Sequence, residues 1–274
     1  PQLLARRAER VPPLTDDKIL TDWNGLMIGA LARAGRALNE SLLTDMAERA
    51  YRSFSHPMMF HRLRNGQAAV ESMLDDHAMM GWAGLELYQT TGETLFLRDA
   101  LDYADIILDR FSDENGALFT VSRDVKDVPV RQKQGYDGAY PCGNSMSALL
   151  FAGIGAITNS RTYRQAAHAC IRTYGTQLSR SAPGFCMLLC AWDTLTVGST
   201  EIVLNGAMDS PFIISSRATI TSTYRPRAYI VYRPVDEQGA SLLREASYPF
   251  DVYPENSVLV CNDYVCDLPL TGIT

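Results

Sequence analysis

Histidine is scarce in this 274-residue chain, and what there is follows no metal-binding pattern. The four histidines, His56, His61, His77 and His168, make no H-x-x-x-H spacing. No C-x-x-C occurs either. The tightest cysteine pairs, Cys186/Cys190 and Cys261/Cys266, are wider apart than ordinary zinc ligands, which disfavours a four-thiolate site. With Cys142 and Cys170 they are scattered too thinly for a disulfide framework and read as reduced, buried thiols. No apolar run approaches the about 18 residues of a membrane span. An excess of basic charge is also missing. Twenty-five Lys and Arg against 31 Asp and Glu give a net charge of −6, and the one basic cluster is "ARRAER", so a nucleic-acid partner is not expected. The first residues form no signal-peptide pattern, and a cytoplasmic location without metal or cofactor is the expectation. The chain opens on Pro1 inside a polar stretch, which suggests a fragment boundary.

What the sequence has in plenty is helical periodicity. Between residues 16 and 38, Ile19, Leu20, Trp23, Leu26, Met27, Ala30, Leu31 and Ala34 repeat at helix spacing, with Thr15 as the expected N-cap. Leu42, Leu43, Met46, Ala47, Ala50, Tyr51 and Phe54 predict a second helix, ended by "SHP" at 55–57. A second pair follows. Ser72 and Asp75 have capping-box spacing ahead of Leu74, Ala78, Trp82, Leu85 and Tyr88, and after Gly92 a return helix runs from Leu95 to Phe111. "SDENG" then marks a turn, and "ALFTVS" predicts a short strand. A third pair is read from Met146 to Ile157 and from Tyr163 to Leu178. Helical hairpins recurring every about 55–70 residues predict a toroid or solenoid. Near residue 198 the character changes. "EIVLNG", "RAYIVYRP" and "SVLVC" read as strands, and "SPFIISSRATITS" as a helix, in a small α/β unit with a βαβ crossover.

Four stretches, in this order, carry a resemblance: "DDKILTDWNGLMIGALARAGR", "LDDHAMMGWAGLELYQTTG", "DGAYPCGNS" and "VLVCNDYVCDLPLT". Together they resemble the YyaL / spermatogenesis-associated protein 20 family over nearly the whole chain. The resemblance implies a mainly α fold, a partial (α/α)6 toroid of the six-hairpin-glycosidase type over residues 1–197, and a small α/β unit over 198–274. It also implies an upstream thioredoxin-like domain and further hairpins, so that the missing half of the barrel, or a second copy, would cover apolar edge faces. Two positions depart from the family pattern. Cys142 stands where a serine is usual before "GNS", and His77 where "LDDYA" has a tyrosine.

In such a toroid the N-terminal ends of the inner helices ring one cavity mouth, so polar residues at helix starts are candidates for ligand contact and for capping alike. Asp75, Asp76 and His77 open one helix. Paired carboxylates could share acid and base roles and a histidine could move a proton, whereas Asp75 could equally close a capping box. Trp23 falls on an apolar stripe that suits a core position or a sugar-stacking wall, and Asn24 could bond hydroxyls. Helix geometry separates Asp22 and Asn24 from Trp23. In "YDGAYPCGNS", Asn144 or Ser145 is the expected N-cap. Asp137, as a free carboxylate beside Tyr140, suits substrate contact or proton transfer. Cys142 lacks a neighbouring His and is a poor nucleophile candidate.

These readings predict a carbohydrate-active barrel, hydrolase or epimerase. Asp76, His77 and Asp137 would transfer protons, and Trp23, Asn24, Trp82, Tyr140 and Asn144 would bind a sugar-like ligand. The alternative is a non-catalytic barrel serving the thioredoxin-like domain in redox or quality-control work.

Overall fold

The computed structural model describes residues 2–54, 60–262 and 264–272. A short helix α1 (Gln2–Ala8) is followed by a two-residue strand β1 (Ile19–Leu20) and then α2 (Thr21–Leu38) and α3 (Ser41–Arg52). Next come the hairpin β2 (Phe60–Arg64) and β3 (Gln67–Glu71), α4 (Leu74–Thr91), α5 (Thr94–Arg110), α6 (Gly143–Thr158), α7 (Arg161–Arg180) and α8 (Cys186–Val197). The last part contains β4 (Thr200–Asn205), α9 (Pro211–Thr221), β5 (Ala228–Tyr232), α10 (Glu237–Leu242), β6 (Ser257–Asn262), β7 (Val265–Cys266) and β8 (Leu270–Thr271).

The helices form two layers. In the inner row α2 packs on α4, α4 on α6 and α6 on α8, while α3, α5 and α7 each fold back on the helix before them. Burial follows that plan. Nearly every residue of α4 and α6 is buried, whereas α5 and α7 bury one face only. The inner helices α2, α4 and α6 end alike, on a residue in the left-handed region: Asn39 (φ 54°), Gly92 (φ 75°) and Asn159 (φ 59°). Asn and Gly adopt that conformation at least cost, and it turns the chain sharply into the outer helix. Phe96, Tyr103, Ile107, Phe111, Leu74, Met79 and Phe151 fill the space between the layers. The result is a two-layered arc of helical hairpins, mainly α, as the periodicity predicts, and it fits the partial (α/α)6 toroid that the resemblance implies.

Gly25 and Gly29 explain how closely α2 approaches α4. A Cβ at Gly25 would stand 2.7 Å from the Met79 carbonyl carbon, and one at Gly29 would stand 2.3 Å from the Trp82 ring. Beyond the helices, β4 and β5 are parallel and joined through α9, β6 lies antiparallel to β4, and β7 and β8 both pair with β6. This sheet docks on the C-terminal ends of the inner row. The Tyr232 hydroxyl donates to the Gln89 carbonyl at 2.8 Å, and the Tyr248 hydroxyl to that of Ile157 at 3.0 Å.

Several expectations need correction. The helix expected from residue 16 starts at Thr21, and its N-cap is Leu20, because residues 19–20 pair with β2 instead. The expected stop at 55–57 lies outside the described residues. "ALFTVS" contributes one isolated bridge, Ser112 to Leu118, and no strand. The hairpin at 60–71 and helix α8 were not anticipated. Cys261 and Cys266 form a disulfide, facing each other across β6 and β7, and Cys186 and Cys190 are exposed; only Cys142 and Cys170 are buried free thiols. Among the described residues no helix is long and apolar enough to cross a membrane.

Candidate functional site

The N-termini of α2 and α4 lie side by side, and the hairpin β2–β3 reaches over them. Asn65 and Gly66, both at positive φ, form its tight turn, and the pairing of Arg62 with Ala69 sets the register that brings His61 to the helix ends. There the His61 Nδ1 lies 3.0 and 3.1 Å from the two oxygens of Asp76. Asp76 also accepts the backbone N–H of Asp22 at 3.0 Å and that of Met73 at 2.8 Å. It is therefore Asp76, not Asp75, that bonds back to the residue before the helix, and Ser72 bonds His77 instead.

Asp22, His61 and Asp76 each bring one polar atom within 4.8 Å of the others. The sequence spacing gave no sign of such a grouping. As a cation site it is poorly open, because both Asp76 oxygens already accept backbone N–H groups and face His61. As a proton-transfer site it is well made. Burial raises the carboxyls of Asp22 and Asp76 above the usual range. Asp75 is pushed up to about 6, first by burial and then by the neighbouring charges of Asp22 and Asp76, and it accepts the Gly143 backbone N–H at the start of α6. Tyr140 stands over this group. Burial and then the Asp22 and Asp75 charges raise its hydroxyl, and its ring meets Trp23 edge-on at 6.0 Å.

The sequence-predicted residues divide sharply. Trp23 is 56% exposed, which overturns a core position, and with Tyr140 it rims the site. Asn24 turns inward and donates to the Leu20 carbonyl one turn back. His77 is buried between Tyr103 and Phe111, so it faces the α4–α5 core and not a cavity. Asp137 is not a free carboxylate. One oxygen accepts the Cys142 N–H at 3.0 Å and the other the Met187 N–H at 2.9 Å, tying together the starts of α6 and α8. Asn144 is no N-cap, since Cys142 holds that place. Fully buried, it exchanges two bonds with Leu118 and donates to the Gln134 carbonyl, pinning the 111–142 loop to α6. Cys142 is pushed up to about 11 by burial, a poor state for a nucleophile. Trp82 stands two turns below Asp75 on α4 and lines a separate cavity of 430 Å³.

Sequence reasoning places neither His61 nor Asp22 at a site, and it gives Asp75 either an acid/base or a capping role. The signal for His61 was present: Asn65-Gly66 between Leu63 and Ala68 is a strong hairpin turn, and a hairpin ahead of α4 must cross its N-terminus. His56 lies outside the described residues, and His168 is exposed on α7.

No family model matches the chain. A Caenorhabditis elegans protein of uncharacterized function is 26% identical over 97% of this chain and 38% of its own length. Spermatogenesis-associated protein 20 of Rattus norvegicus is 24% identical over 98% of this chain, and that of Homo sapiens 22% identical over the same share; each match covers 37% of the relative. The chain is similar to spermatogenesis-associated protein 20 over nearly its whole length. It spans little more than a third of these relatives. Among solved structures, cellobiose 2-epimerase from Bacillus thermoamylovorans B4167 aligns with 58% of this chain and 45% of its own, at 14% identity and a TM-score of 0.48. His77 and Cys142, the two positions that depart from the resemblance, are both buried.

Proposed function

We propose that the group at the N-termini of α2 and α4 carries out acid/base chemistry on a sugar-like polyol. The observation that supports this most is the pairing of His61 with Asp76 beside a second carboxyl, Asp75, raised to about 6. In the tautomer whose Nδ1–H donates to Asp76, the basic atom of His61 is Nε2, left for substrate; Asp76 orients the ring and stabilises it when protonated. Asp75 keeps its proton to higher pH than an ordinary carboxyl and is the matching acid. Trp23 and Tyr140 offer an aromatic rim on which a sugar ring can rest, with hydroxyl contacts from Tyr140. The proton-transfer roles first given to His77 and Asp137 thus pass to His61 and Asp75.

The test is thermal unfolding against a panel of mono- and disaccharides, because a ligand bound by the native state raises the midpoint. A shift for one sugar class that disappears in His61→Ala and Asp75→Asn, but persists in Asp137→Asn, supports the reading. No shift with any sugar turns it down. One observation favours the second reading, a binding barrel for another domain: α2 and α3 expose Trp23, Met27, Leu38, Leu42 and Met46 along one edge. A partner domain that binds this edge, with no sugar effect, would support that role.

A further inference from the structure

At the other end of α2 and α4, away from the site above, two adjoining cavities of 430 and 220 Å³ share the side chains of Arg33 and Gln89 and the loop at Tyr224. Their charge is unusual for a chain of net −6. Arg33, Arg36 and Arg225 line them, against Glu86 and Asp193, and Asp193 is already paired with Arg227 at 2.9 Å.

Glu86 organises the arginines. It is 3% exposed, and its Oε2 holds Arg36 at 2.7 Å while its Oε1 stands 3.4 Å from Arg33. The two arginines are not equivalent. Arg36 is part-buried and also donates to the Glu86 carbonyl and the Thr90 hydroxyl, so it is a fixed structural cation. Arg33 is half-exposed, has that one long ion-pair contact, and lies in the wall of both cavities. A guanidinium carries five donors in a planar fork, and most of those on Arg33 remain for a ligand. Arg225 faces it from the α9–β5 loop, where it gives one bond to the Ile220 carbonyl. Trp82 and Tyr229 supply apolar walls in the larger cavity, whose volume suits a small organic molecule.

We propose that these joined cavities bind an oxyanion-bearing ligand of sugar size, a phosphorylated or carboxylated sugar, with Arg33 clasping the anionic group. One buried glutamate between two arginines leaves a surplus positive charge in a partly desolvated site, where an oxyanion gains bidentate, charge-assisted hydrogen bonds. The site is distinct from the His61–Asp75 group. Asp75 and Glu86 are eleven residues apart on α4, about 16 Å along the helix.

Isothermal titration of the chain with inorganic phosphate, glucose 6-phosphate and glucuronate, with glucose as neutral control, tests the proposal. At least one anion is expected to bind about tenfold or more tightly than glucose, and Arg33→Gln to weaken it about tenfold or more. Binding of both phosphates without glucuronate identifies a phosphate site, and the converse a carboxylate site. His61→Ala is expected to leave anion binding unchanged, which separates this result from the fate of the acid/base reading. Arg33 is half-exposed, so its replacement should leave the fold intact, with circular dichroism as the check; if it does not, Arg225→Gln on the surface loop takes its place, with a loss of about threefold or more. Absence of binding by every anion, or unchanged affinity in the arginine variant, overturns the proposal.

Discussion

His61 Nδ1 lies 3.0 Å from Asp76 Oδ1, across fifteen residues of sequence and two different elements, a strand and a helix start. One carboxylate thus does three things: it holds the imidazole, bonds back to Met73 ahead of α4, and accepts from Asp22 at the start of α2. Asp76→Ala leaves two backbone donors in and around buried surroundings without their acceptor. The expected cost is about 3 kcal/mol in urea unfolding. Asp76→Asn keeps one acceptor and should lose less. If Asp76→Ala unfolds at the wild-type midpoint with an unchanged slope, the three bonds contribute nothing and His61 is not held by them.

Asp75 makes stability depend on pH in an unusual direction for a carboxyl. Its folded value, about 6, lies above the ordinary 3.8, so between these values the folded chain holds a proton that the unfolded chain has lost. That contribution is complete below pH 4 and is lost as pH rises through 6. A shift of about two units corresponds to about 3 kcal/mol at most. Unfolding measured from pH 4 to pH 7 should therefore decline more steeply in the wild type than in Asp75→Asn. Parallel curves for the two would show that Asp75 titrates like a surface carboxyl.

Helical hairpins were legible in the sequence because their information is local. Leu74, Ala78, Trp82 and Leu85 declare a face by spacing alone, and Gly92 declares its end. The mouth was not legible in the same way. Asp22 and Asp75 lie 53 positions apart and meet only because Gly25 and Gly29 let two helices touch. His61 arrives on a hairpin whose Asn65-Gly66 turn was passed over. Conversely, the polar residues that looked most functional in "DGAYPCGNS" are helix-start and loop-anchoring groups. Asp137 and Asn144 satisfy backbone donors and acceptors from distant loops, a demand that sequence spacing does not display.

The role of Asp137 can be separated from that of the His61 group. Its two oxygens accept the N–H of the α6 N-cap, Cys142, and that of Met187 in the first turn of α8, so Asp137→Ala should lower stability by about 2 kcal/mol and loosen both helix starts. Hydrogen exchange at Cys142 and Met187 should accelerate, while exchange within α4 stays slow. Any ligand effect at the His61 site should survive. A variant as stable as the wild type, but with the ligand effect gone, would return Asp137 to the active group.

The cysteines divide into four free thiols and one bonded pair, and counting them is a direct check. Under denaturing conditions without reductant the chain should react with four equivalents of a thiol reagent, and with six after reduction. Cys261 and Cys266 close a small loop that carries Tyr264. The backbone N–H of Tyr264 donates to buried Glu201 at 3.3 Å, and its hydroxyl accepts from Arg164 at 3.0 Å. The loop therefore latches the sheet to α7, and cutting it frees that latch. Restricting so short a loop is worth about 2 kcal/mol on the loop-entropy account, so the double variant C261S/C266S should lose about that much. Amides of β6 and β7 should exchange faster, and those of α4 and α6 should not change. Six reactive thiols before reduction would show that the pair is open, and the anchoring of Tyr264 would then rest on its hydrogen bonds alone.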